Sequence, residues 1–222
     1  IVAERLGDTL REQLVFVGGA VAGLLITDSG MPAIRSTEDV DLICKALVLA
    51  DYHRVEMALR ARGFQPDMSQ GAPICRWRVD DVVVDVMPSL ENIIGFSNRW
   101  YPLALLSALP VTLPSGLVIR LIPAPVFLAT KLEAFVGRGR GDFLCSHDLE
   151  DLLAVVDGRV ILLDECRASA PELRSYLAER LRALLETRAF VDALPGYLPS
   201  DAASQERLPD LRETLRLITL LT

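Results

Sequence analysis

The sequence predicts a mixed α/β (α+β) fold, a mixed sheet flanked by helices, followed by a C-terminal helical part. Three observations predict it. Short β-branched, apolar runs alternate with segments of helical spacing as far as Pro123. Beyond Pro123 only helical spacing remains. Gly, Pro and Asp-Asp or Pro-Ser-Gly clusters punctuate the first region at strand-like intervals. The expected division is an α/β domain over 1–123 and a helical part over 124–222.

Taken in order, Glu4 to Gln13 reads as a short helix and Leu14 to Val17 as a first strand. A helix is expected over Gly19 to Thr27 and a loop over Asp28 to Glu38. Asp39 to Cys44 reads as a second strand. Ala50 to Arg62 has helical spacing and stops at Gly63, a natural residue for a helix C-terminus. Ile74 to Val79 and Val82 to Met87 read as two strands joined by a short Asp80-Asp81 turn. Pro114-Ser115-Gly116 separates strand-like Val111 to Leu113 from Leu117 to Ile122, a hairpin signal. Helices are expected at Pro125 to Val136, His147 to Val156, Pro171 to Ala193 and Pro209 to Leu221. The glycines of Gly137 to Gly141 predict a loop there.

Bulk properties set limits. Apolar content of 51% and charged content of 24% suit a soluble globular protein. The net charge of −7 argues against a surface coated in basic patches, while leaving room for a local basic groove. No apolar run approaches the roughly 18 residues needed to span a bilayer, and no signal-peptide pattern is visible. Cys44, Cys75, Cys145 and Cys166 form no C-x-x-C pair, and with His53 and His147 they match no zinc pattern. Cys44 and Cys75 read as small buried residues. This usage fits a reducing cytoplasm, the expected location.

The chemistry concentrates between Leu14 and Leu42. A strand runs into Gly18-Gly19, and the next strand carries Asp39-Val40-Asp41. Residues two apart in a strand share a face, so Asp39 and Asp41 point together while Val40 turns to the core. Carboxylates held that close repel, and a divalent cation between them resolves the repulsion. Asp85, inside the strand-like run VVVDVMP, is a third carboxylate. Gly18 and Gly19 carry no side chains, so a phosphate can approach their backbone. Arg35, Ser36 and Thr37 stand in the loop before Asp39 and are candidate phosphate contacts. The cluster Gly95 to Tyr101 combines Arg99, Trp100 and Tyr101, which can stack on a base or order a loop.

The order GG, about twenty residues, Thr37-x-Asp39-x-Asp41 and a later Asp85 resembles the polymerase β-type nucleotidyltransferase superfamily. Within it, the stretch Val15 to Arg159 looks most like the AbiEii-type branch, which includes MenT-like toxins of type IV toxin–antitoxin systems. The resemblance implies a nucleotidyltransferase α/β domain over 1–123. It implies Asp39, Asp41 and Asp85 as ligands of Mg²⁺ or Mn²⁺, with Asp85 orienting the attacking hydroxyl. Lys131, in KLEAF, would contact the triphosphate, and Asp148, in HDLEDL, would position Lys131 or act near the nucleophile. The family pattern there begins with lysine, where this chain has His147, so the resemblance assigns no role to that position.

The activity so implied transfers NMP from an NTP to a hydroxyl, on a tRNA 3′ end or a protein side chain, with an antitoxin as a further partner and no membrane. Two alternatives are a small-molecule (aminoglycoside-like) nucleotidyltransferase and a catalytically degenerate binding component of a toxin–antitoxin complex. The active form predicts the three carboxylates within about 5–6 Å of one another.

Overall fold

The computed structural model describes residues 1–32, 35, 37–139 and 141–221, so Ser36 and Arg140 lie outside the described residues. Helix α1 (Val2–Gln13) leads to strand β1 (Val15–Val17), one 3₁₀ turn (Gly19–Val21) and the short helix α2 (Ala22–Leu25). Next come β2 (Asp39–Cys44), α3 (Leu49–Ala61), β3 (Gln65–Pro66), β4 (Arg76–Val79), β5 (Val82–Pro88), α4 (Glu91–Ile94), α5 (Tyr101–Ser107), β6 (Leu109–Thr112) and β7 (Val118–Leu121). Helices then follow: α6 (Ala124–Arg138), α7 (His147–Gly158), α8 (Leu162–Ala168), α9 (Pro171–Glu186), α10 (Arg188–Ala193), α11 (Ala202–Gln205) and α12 (Leu208–Ile218).

The chain folds into two compact units. One comprises Ile1–Val21 and Ser36–Pro123, the other Ala22–Arg35 and Ala124–Thr222. The chain therefore visits the second unit early, in the segment Ala22–Arg35, before returning to build the sheet.

The first unit is a seven-stranded mixed sheet in the order β3-β4-β5-β2-β1-β7-β6, flanked by helices. Pairs β2/β5 and β1/β7 are parallel, and the others are antiparallel. One face is apolar. Trp77, Val84, Val86 and Leu42 are buried there, and α3 covers it: Arg60 lies over the Trp77 ring at 5.2 Å and the Tyr52 hydroxyl donates to the Val86 carbonyl at 2.8 Å. Burial of each such large side chain contributes about 1.5–3 kcal/mol. By strand alternation, Arg76, Asp85, Asp41 and Asp39 stand on the opposite face. The β4–β5 hairpin turns on two residues, with Val79 opposite Val82 and Asp80 at φ 50°. Arg5 of α1 secures that turn by two bonds to Asp80, at 3.1 and 2.9 Å.

The second unit is helical. Helices α6 and α7 pack against each other, and Phe127, Leu128, Leu132, Leu149 and Leu152 on them are all at most 1% exposed. The Ser146 hydroxyl caps α7 by accepting from the Leu149 N–H. The Tyr176 hydroxyl on α9 donates to Glu133 on α6 at 2.7 Å. The early segment Ala22–Arg35 joins this unit through the N–H groups of Thr27 and Asp28, which both donate to the Gly158 carbonyl at 2.9 Å.

Several elements differ from their sequence expectation. The helix expected over Gly19 to Thr27 is a 3₁₀ turn and a four-residue helix. Gly19, Val21 and Gly23 weaken it, and the Gly158 carbonyl draws the next amides away. Gly7, at φ 67° and ψ 173°, interrupts α1. The helix expected over Pro171 to Ala193 breaks at Thr187, whose extended backbone turns the chain and buries Phe190. Gly137 and Arg138, expected in a loop, form the last turn of α6, because Asp148 anchors the Arg138 side chain.

Candidate functional site

The parallel register of β2 and β5 sets Asp41 directly opposite Asp85, with Asp39 two residues earlier on the same face of β2. Each of the three carboxylates offers an oxygen, and these oxygens all lie within 4.8 Å of one another. Asp85 is buried, while Asp39 and Asp41 are half-buried. Among the described residues this is the one such group of three potential ligands. Gly18 closes one side of it. Its φ is +71°, and a β-carbon there would sit 1.8 Å from Asp41 Oδ2. Two separate demands therefore require glycine: a left-handed backbone and the absence of a side chain against the carboxylate.

An arginine unforeseen in the sequence completes the group. Arg76 on β4 lies opposite Asp85 and donates through Nε to Oδ1 at 2.9 Å and through Nη2 to Oδ2 at 2.7 Å. The same Nη2 lies 3.9 Å from Asp39 Oδ2. The Asp85 hydrogen bond raises the Arg76 pKa further above its already high ordinary value, so this guanidinium is permanently charged. Its placement was countable. From the Asp80-Asp81 turn, 79 pairs with 82, 78 with 83, 77 with 84 and 76 with 85.

The donor set fits a hard divalent cation. It offers carboxylate oxygens only, which suit Mg²⁺, Mn²⁺ or Ca²⁺ rather than a thiolate-seeking ion. Burial pushes the thiols of Cys44, Cys75 and Cys166 up to about 12, so they stay protonated at neutral pH and are poor ligands.

The other sequence candidates divide between the units. In the first unit, Gly19 opens the 3₁₀ turn, and the Thr37 hydroxyl donates to the Asp39 carbonyl at 3.2 Å, a local loop bond. Ser36 lies outside the described residues. Trp100, in the aromatic cluster, is 3% exposed, and its backbone N–H donates to Asn98 Oδ1 at 3.1 Å. It packs in the core, and the loop reading of that cluster holds for this ring.

In the second unit, Lys131 on α6 is buried and its ammonium donates to Asp151 at 2.6 Å and Asp148 at 3.3 Å, both on α7. Asp148 and Asp151 lie one turn apart and share that face. Arg138 adds two bonds to Asp148, at 2.9 and 2.8 Å. Burial pushes the Asp148 carboxyl up, but Arg138 and Lys131 outweigh it and hold it below the usual range. Arg35 meets Glu150 at 3.2 Å and Asp151 at 3.4 Å. His147 is exposed and its ring lies 3.2 Å from Glu150.

No protein-family model and no curated protein matches the sequence. Among solved structures, the fold is similar to that of an H. pylori protein provisionally described as a nucleotidyltransferase, at 12% identity and a TM-score of 0.43, covering 97% of this chain and 91% of that one. It is also similar to JHP933 from Helicobacter pylori, at 13% identity and a TM-score of 0.45, covering 97% and 88%. With likenesses this remote, the functional reading rests on the acidic centre. Among the described residues, no helix is long and apolar enough to cross a membrane.

Proposed function

We propose that the chain is a divalent-cation-dependent nucleotidyltransferase of the AbiEii/MenT-like type. It transfers NMP from an NTP to a hydroxyl on RNA, such as a tRNA 3′ end, or on a protein. The observation that carries this reading is the convergence of Asp39, Asp41 and Asp85 within 4.8 Å, with Gly18 forced against Asp41. In the reaction, the acceptor oxygen attacks the α-phosphorus, the bond to the bridging oxygen breaks, and pyrophosphate leaves.

Asp39 and Asp41 would hold Mg²⁺ or Mn²⁺, which when bound supplies charge neutralisation for the triphosphate. Asp85 orients the attacking hydroxyl. Gly18 and Gly19 leave room for a phosphate at the backbone, and Arg35, Ser36 and Thr37 serve as further nucleotide contacts. Lys131 offsets charge on the β and γ phosphates, with Asp148 and Asp151 positioning its ammonium. The toxin role and an antitoxin partner rest on the sequence resemblance.

The test is to incubate the protein with each α-³²P-labelled NTP, Mg²⁺, and either total tRNA or cell lysate. A macromolecule labelled from one NTP, with no label from Asp39→Ala, supports the reading. Label confined to small molecules moves the acceptor to the small-molecule class. No transfer from any NTP refutes nucleotidyl transfer.

A further inference from the structure

The acidic centre contains its own cation. Both oxygens of Asp85 are engaged by the Arg76 guanidinium, and the pairing is set by the cross-strand register rather than by a flexible loop. We propose that Arg76 sets the cation stoichiometry of this site: one divalent ion binds tightly at Asp39 and Asp41, and a second can use Asp85 only by displacing Arg76. This rests on the metal-site reading above.

The charge count favours it. Among these four groups, the three carboxylates carry three negative charges and Arg76 returns one, leaving two, which a single divalent ion neutralises. A second ion added beside Arg76 would leave the protein groups and ions at two positive charges. With Arg76 absent, the same two ions would leave one. Geometry adds a second penalty. A bidentate guanidinium–carboxylate pair is a directional, charge-assisted contact, and both Asp85 oxygens are already accepting. Asp85 is 8% exposed, so water compensates poorly for the lost pair. Arg76 is more exposed, at 29% of its side chain. The movable partner is therefore the arginine, and an incoming ion competes with it rather than with Asp85. Arg76 also neutralises the mutual repulsion of Asp85 and Asp39, from which its Nη2 is 3.9 Å.

The experiment is a Mn²⁺ titration of the full chain, read by loss of the free-ion signal in electron paramagnetic resonance and by calorimetry. Wild type is expected to bind one Mn²⁺ tightly and a second weakly. Arg76→Gln should tighten the second site roughly ten- to a hundredfold, from removal of a unit charge about 4 Å away in a partly screened setting. Arg76→Lys, which keeps the charge but loses the fork, should fall between them. The double variant Arg76→Gln, Asp85→Asn should return to one tight ion. Melting curves with and without Mn²⁺ show that each variant is folded, and the lysine variant carries the test if the glutamine variant is not.

An unchanged second site in Arg76→Gln, or in folded Arg76→Lys, overturns the proposal. So does a gain that survives removal of Asp85. The two readings fail differently. If Asp39→Asn abolishes Mn²⁺ binding while the Arg76 variants leave it unchanged, only the stoichiometry proposal falls. If Mn²⁺ binding survives Asp39→Asn, the metal site itself falls and this proposal with it.

Discussion

Replacing Lys131 with Met tests whether the second unit is held by its buried charges. The lysine is 7% exposed, and its ammonium bonds two carboxylates that are themselves 6% and 5% exposed. Methionine keeps the stem volume and removes the charge. Breaking a buried pair on one side costs about 3–5 kcal/mol, because the remaining charge is left without compensation. Here the loss falls at the low end of that range. Arg138 still makes two bonds to Asp148, and Arg35 still lies 3.4 Å from Asp151. About 3 kcal/mol remains, mostly at Asp151, whose shortest charge contact is the one removed. For a chain of this size that lowers the melting temperature by roughly 6–12 °C. The assay is thermal melting by circular dichroism at neutral pH, together with the double variant Lys131→Met, Asp151→Asn. The double variant should recover more than half of the loss, since the stranded charge is gone. It also separates stability from chemistry, because a folded double variant that still fails to bind NTP points to the ammonium itself. A single variant that melts with wild type would refute the argument.

Three further outcomes are expected. Gly18→Ala should cost about 1–2 kcal/mol from its left-handed backbone alone; by pushing Asp41 aside it should also weaken Mn²⁺ binding at least tenfold, and unchanged calorimetric binding would contradict this. Asp39→Ala should abolish NMP transfer while leaving the melting temperature unchanged or slightly raised, since it relieves repulsion among carboxylates; retained transfer by the folded variant would remove Asp39 from the chemistry. Asp148 has a lowered folded pKa, so its stabilisation is present above the ordinary carboxylate pKa of about 3.9 and disappears as pH falls through the lowered value. The stability gap between wild type and Arg138→Leu should accordingly be full at pH 6 and close below about pH 4, and a gap that is constant across acid melts would show that Asp148 titration is not its source.

Local chemistry explains which features were readable. Strand β2 falls on the expected Asp39 to Cys44, because β-branched and apolar residues alternate around two carboxylates and nothing competes. The hairpin of β4 and β5 is readable from Asp80-Asp81, and its register implies the Arg76–Asp85 pair. Gly18 was readable as glycine, but its reason, contact with Asp41, depends on the pairing of β1 with β2. Tertiary partners hid the rest. Helix α6 runs on through Gly137 and Arg138 because Asp148 holds Arg138. The resemblance marks Lys131 as a triphosphate contact, but its burial against both Asp148 and Asp151 depends on α7 packing beside α6. The excursion of Ala22–Arg35 into the helical unit has no compositional mark, since its anchor is a backbone carbonyl far along the chain.

That anchor imposes an order of events during synthesis. Leu25, Thr27 and Asp28 emerge early, yet their partners are Gly158, Arg159 and Val160. The Arg159 guanidinium reaches the Leu25 carbonyl across 134 positions of sequence. At about 5–20 residues per second, the segment waits roughly six to twenty-six seconds for its binding surface to be translated. The strands of the sheet are complete at Leu121, so the first unit has its full strand set before the partners of the insertion are translated. Gly158 is the seat awaiting it. A β-carbon there would press on Ile26 and Met31 at 2.9–3.0 Å, so the docking step depends on a residue without a side chain.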